Sequence, residues 1–140
     1  MKSGVRWGRV IAAAFASEVI VVAILFAIIA AYRFFVSPGR GMAEYQEFGA
    51  RAGYYVAPAA SGLATFLMAL WAARKLRTDF ILNGTLIGVA AMVLASGFLL
   101  TAKPEDRSMY LVSFALRILG GYLGGLAAQH SAASVMRRTA

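Results

Sequence analysis

Four apolar runs, at about 10–35, 53–73, 80–102 and 109–133, take up most of the chain, and only two charges, Glu18 and Arg117, lie well inside them. Each run reaches the roughly 20 residues that carry a helix across a ~30 Å hydrocarbon layer. Hydrocarbon offers no partner to backbone N–H and C=O groups, so a spanning segment must satisfy its own, as a helix does. A β-barrel would require polar and apolar residues in alternation, and no such alternation runs through this chain. Hydrophobic residues make up 61% of the 140 residues and charged residues 14%. Soluble domains average roughly 25% charged, and one this small has no interior large enough for so much apolar surface. The expectation is an all-α, polytopic membrane protein, with residues 1–140 forming one domain of four transmembrane helices.

The connections punctuate the runs. Ser37-Pro38-Gly39 has the chemistry of a turn and stops the first. Residues 42–49 (MAEYQEFG) suggest a short interfacial helix, with Tyr45 and Phe48 on one side and Glu44 and Glu47 on the other. Basic residues around 74–77 and the polar Lys103-Pro104-Glu105-Asp106-Arg107 make the remaining turns. Lys2, Arg6 and Arg9, followed by Ala14-Phe15-Ala16, imitate a signal peptide. The apolar run before that site is short and continues past it, so the segment is expected to be a retained first helix.

Charge sets the expected orientation. With four spans both ends of the chain share a side. That side carries Lys2, Arg6, Arg9, Arg74, Lys75, Arg77, Arg137 and Arg138 against Asp79, a net +7, whereas the other side nets +1. Positive charge is retained on the cytoplasmic face. The reading is therefore a multi-pass protein of a bacterial-type inner membrane, with both termini cytoplasmic and anionic lipid attracted to that side. The overall +8 is thus a topology signal, and nucleic acid is not an expected partner. Trp7 and Trp71 at one interface, and Tyr32, Tyr45, Tyr54, Tyr55 and Tyr110 near the other, form an aromatic belt.

Helix packing is legible in the glycines. Gly120-Gly121 and Gly124-Gly125 make two interleaved GxxxG patterns in span 4, and Gly84 and Gly88 make a third in span 3, continued by Ala91 and Ala95. Small residues four apart let helix backbones approach closely. The seam is either internal or shared between copies. Span 4 needs a partner in any case. Its eight Leu, Ile, Val and Phe residues between Leu111 and Leu126 offer about −4 kcal/mol toward insertion, which a central Arg offsets by roughly +2.5 to +3.5.

Arg117 shares the small-residue face with Ser113, Gly120, Gly121 and Gly124, so it is expected to point into the protein. Glu18 has Ala14, Val21, Val22 and Leu25 around it, and its carboxylate must be protonated, paired or wet. Depth counting puts the two on opposite sides of the midplane, with backbones staggered by about 12 Å at 1.5 Å per residue. Two extended side chains nearly close that gap. Arg117 reads first as a packing element and Glu18 as the better functional candidate, a possible proton or ion site. Thr65, Asn83 and His130 are possible linings of an inward cavity beside Glu18. There is no cysteine and one histidine, which excludes thiolate chemistry and argues against a metal cluster. No nucleophile–base pair, metal motif or cofactor fingerprint is present.

The segment Ala16-Ser17-Glu18-Val19-Ile20 resembles the first helix of the small multidrug resistance transporters. That likeness implies a four-helix protein dimerising around one membrane glutamate, with Glu18 as proton and cation site. The chain departs from the family in its long connection between spans 1 and 2, its arginine in span 4 and the lack of the family's aromatic and glycine pattern in spans 2 and 3. From the residues themselves, the leading expectation is a non-enzymatic inner-membrane bundle without cofactor or metal, a homo-oligomer or an accessory subunit of a larger membrane complex. The alternative is a small oligomeric proton- or ion-coupled transporter or channel using Glu18.

Overall fold

The computed structural model of the protein describes residues 4–74, 76 and 78–139. Four helices follow in order: α1 (Trp7–Ala31), α2 (Met42–Ala73), α3 (Phe80–Thr101) and α4 (Arg107–Thr139). All four are long and apolar enough to cross a membrane, with mean hydropathy from 1.5 to 2.7 in their most apolar windows. The chain is an all-α four-helix protein of membrane-spanning length. One end of the bundle carries the α2–α3 connection and the start of α1; the opposite end, the loop end, carries the α1–α2 and α3–α4 connections.

The bundle is built inside out relative to a soluble domain. Its core is small: Ala13, Ala14, Ala64, Ala69 and Ala91 are each at most 2% exposed, and Ser17, Ser61 and Thr65 are buried among them. The large side chains are outside, with Phe15, Phe26, Phe98 and Leu111 all at least 60% exposed. Lipid solvates large apolar groups as well as a protein core does, so close backbone approach is what holds such helices together.

The α4 helix is the one that depends most on that approach. A Cβ placed on any of Gly84, Gly88, Gly120, Gly121, Gly124 or Gly125 would come within 3.0 Å of backbone atoms on a neighbouring helix. Gly121 and Gly125 lie against Gly84 and Phe80–Ile81 of α3, while Gly88 lies against Arg117 and Ile118. Gly120 and Gly124, one residue round the helix, lie against Gly62 and Phe66 of α2. The two interleaved patterns thus serve two different neighbours, and the seam is internal. The α1 helix packs on α2 and α3 from the other side, with little backbone contact to α4.

The expected boundary between an interfacial helix at 42–49 and a span at 53–73 is corrected: both belong to the single 32-residue α2. Only Gly49 and Gly53 weaken the helix there, at about 1 kcal/mol each, and tertiary contacts outweigh that. The Tyr32 ring stacks on Phe48 with centroids 3.8 Å apart, and Tyr45 meets Tyr32 edge-on. The Tyr45 hydroxyl donates to the Ser37 carbonyl at 2.7 Å and accepts from the Arg40 N–H at 3.1 Å. Glu47 is exposed and pairs with Arg51, whereas Glu44 pairs with Arg40 and also accepts from the Tyr32 hydroxyl at 3.4 Å. At about 48 Å, α2 is longer than the hydrocarbon is thick, a length that a helix accommodates by tilting or by extending past it. The α1 helix ends in a widened π turn over Tyr32–Val36, where the Ser37 N–H donates to the Tyr32 carbonyl. Pro38 disfavours helix at Ser37, and Gly39 takes the positive φ of the turn.

At the other end, Asn83 fastens three segments. Its side-chain oxygen accepts from the Arg6 N–H at 3.0 Å and its amide donates to the Asp79 carbonyl at 2.9 Å. Asp79 has φ of 58°, a left-handed conformation that Asp tolerates better than most residues. Of the basic residues used to orient the chain, Lys2, Lys75 and Arg77 lie outside the described residues. Arg6, Arg9 and Arg74 sit at this end together with the exposed rings of Trp7 and Trp71.

Candidate functional site

The two charges within the spans meet. Arg117 donates from Nε to one Glu18 oxygen at 2.8 Å and from Nη2 to the other at 2.9 Å, a bidentate pair joining α4 to α1. The pair crosses the bundle between the two helices that otherwise touch least. Whatever the stagger of the two backbones, these two long side chains are able to close it. The Arg117 side chain is 7% exposed and that of Glu18 19%.

Further hydrogen bonds fix Arg117 in place. Its Nη1 donates to the Ser113 hydroxyl one turn earlier. Ser113 lies 3.0 Å from the Ser61 hydroxyl on α2, which also bonds the Pro58 carbonyl at 2.8 Å. Among the described residues no buried side-chain nitrogen or oxygen lacks a partner. A charge-assisted bidentate pair in low dielectric is strong, and full satisfaction of the surrounding polar atoms is what makes it tolerable there. Ser61 and Ser113 were not among the candidates from sequence, although Ser113 was noted one turn from Arg117. The signal lay in the i,i+4 spacing of Ser113 and Arg117.

A cavity of about 460 Å³ rises from this pair toward the loop end. Each wall is one helical stripe: Glu18, Val21, Val22 and Leu25 on α1, and Ala50, Gly53, Tyr54, Ala57 and Pro58 on α2. The α3 helix gives Ala95 and Phe98, and α4 gives Met109, Tyr110, Ser113 and Arg117, with Asp106 just ahead of it. A groove of about 340 Å³ between α1 and α3, lined by Phe15, Val19 and Leu94, shares Glu18, Val22 and Phe98 with the cavity. Below the pair the bundle is filled by Ala14, Ser17, Thr65 and Ala91, all fully buried.

Thr65, Asn83 and His130 do not line either space. Thr65 donates back to the Ser61 carbonyl at 2.7 Å. Asn83 is committed to the turn described above, and His130 is exposed on α4. Thr65 lies one turn below Ser61, under the pair, and Asn83 lies at the α2–α3 end beside Arg6. No group of three His, Cys, Asp or Glu among the described residues converges as a metal site would require.

The chain matches no protein-family model, no curated protein and no solved structure. The five-residue likeness around Glu18 is not extended by any of these comparisons.

Proposed function

We infer that this is a non-enzymatic integral membrane protein of bacterial inner-membrane type, with both ends of the chain cytoplasmic. It acts as a helix-packing component, associating with itself or with a larger membrane complex. The observation that supports this most directly is the ion pair. Glu18 and Arg117 neutralise each other in a network where every buried side-chain nitrogen and oxygen among the described residues has a partner, so they act as a clamp between α1 and α4. Removing one partner of a buried pair costs about 3–5 kcal/mol, enough to hold a bundle in one arrangement. Because the glycine seam is occupied internally, association would use another surface. The outward row Phe15, Val19, Val22 and Phe26 on α1, each at least 47% exposed, is the candidate we name. Crosslinking from cysteines placed at Phe15 and Phe26 in native membranes should trap a defined partner. A strict monomer after mild solubilisation, with no crosslinked species, would sink this reading.

A second reading, ion- or proton-coupled transport through Glu18, is favoured by one observation: the cavity reaches the carboxylate from the loop end. Its test is a pH-dependent flux in proteoliposomes that Glu18→Gln abolishes. Undiminished flux in that variant would remove Glu18 from the mechanism.

A further inference from the structure

The cavity and the lateral groove meet at Glu18, Val22 and Phe98. Together they offer a polar floor at membrane depth and an apolar channel leading sideways between α1 and α3. The chemistry of the floor narrows what fits. Arg117 has five N–H donors. Nε and Nη2 each give one to Glu18 and Nη1 gives one to Ser113. One N–H on each terminal nitrogen is left uncommitted among the described residues. Each Glu18 oxygen accepts one bond from Arg117 and has capacity for another. The floor therefore offers donors and acceptors side by side, with no net charge.

The pair is neutral as a unit, so a charged head resting on it would find no net counter-charge there, which disfavours one relative to a neutral polar head. An alkane would leave the remaining polar capacity unmet. A hydroxyl-bearing head both donates and accepts and suits such a floor. The cavity also lies within the ~300–1,000 Å³ of ordinary small-molecule sites. The groove past Phe15, Val19 and Leu94 gives an acyl chain a way out to lipid without crossing the floor.

We propose that this chain binds a single-chain amphiphile with an uncharged, hydroxyl-bearing head, such as a monoacylglycerol. Its head rests on the Glu18–Arg117 pair and its tail lies in the α1–α3 groove. The groove shares Phe15, Val19 and Val22 with the α1 surface proposed for association, so a partner seated on that surface and the tail would compete.

The test uses the full chain in phosphatidylcholine nanodiscs and a monoacylglycerol carrying a diazirine midway along its chain. Photolabelling should saturate with probe concentration and map to Val22, Leu94 and Phe98. Excess unlabelled monoolein should reduce it at least tenfold. Oleate, which has the same tail with a charged head, and 1-octadecene, a chain of equal length with no polar head, should not. Val22→Trp, which fills the shared wall, should remove the saturable component, whereas Leu111→Trp on the lipid face should retain it. Labelling that rises linearly with probe and spreads over all outward faces would overturn the proposal. So would equal competition by monoolein and 1-octadecene, since the head would then not be recognised. The wild-type competition decides by itself, so a variant that fails to fold does not protect the idea.

Discussion

At the scale of residues, the energetics concentrate on Glu18 and Arg117. Glu18→Ala leaves a guanidinium buried without its counter-charge and should lower stability by about 3–5 kcal/mol. Replacing both, as Glu18→Leu with Arg117→Met, removes the charges together and should recover most of that loss, because a buried pair often does no better than apolar residues of similar size. Thermal unfolding of the two single variants and the double variant in the same micelle checks this. A double variant as unstable as the sum of the singles would mean that the pair does not act as a unit. Ser61→Ala should matter far less. Membrane hydroxyl bonds average about 0.6 kcal/mol, and Arg117 keeps both of its bonds to the carboxylate.

At the scale of elements, α4 is held by glycine faces, and its two neighbours can be uncoupled. Gly121→Val would force a side chain into the Gly84 carbonyl of α3, and Gly120→Val into the Gly62 carbonyl of α2. Overpacking typically costs about 1–3 kcal/mol, and values at the top of that range are expected here because backbone, unlike a side-chain tip, has little room to yield. Gly97→Ala is the control. Nothing lies within 4 Å of its added Cβ, so it should be neutral or gain about 0.5–1 kcal/mol from the better helix former. Denaturation midpoints of the three variants make the comparison, and equal losses at Gly97 and Gly121 would contradict the packing described. The aromatic staple at the loop end belongs to the same scale. Tyr32 joins the end of α1 to Phe48 and Tyr45, and so lets α2 run unbroken through two glycines.

At the scale of the whole molecule, orientation is the property to test first, because the proposed cytoplasmic termini rest on loop charge. The chain has no cysteine, so single introduced thiols report without background. A membrane-impermeant maleimide added outside intact spheroplasts should label Met42→Cys and spare Thr78→Cys, both at exposed positions. The reverse pattern would invert the topology. The bundle as a whole is also asymmetric along its axis. Small residues close it near the α2–α3 connection, whereas the loop-end half opens into the cavity above the ion pair. A static ion-pair clamp and a recognition floor for an uncharged amphiphile are compatible uses of that asymmetry.

Four helices, the limits of α1 and α3 to within a few residues, and a membrane as their solvent were legible in the residues alone. Those follow from run length and backbone satisfaction, which need no knowledge of neighbours. The sequence also marked Glu18, Arg117 and the six glycines, since charge and missing side chains inside apolar runs are visible residue by residue. Only the tertiary structure decided that the seam is internal, that the pair closes and that α2 runs on through Gly49 and Gly53. Each depends on helix rotation or on contacts between segments distant in the chain. Depth and rotation together place the residues expected beside Glu18: Thr65 lies a turn below Ser61, Asn83 sits at the α2–α3 end beside Arg6, and His130 is on an exposed face of α4. A shift of one residue turns a helix by about 100°, and it is rotation that brought Ser61 to Ser113 and built a cavity from four stripes that no single run displays.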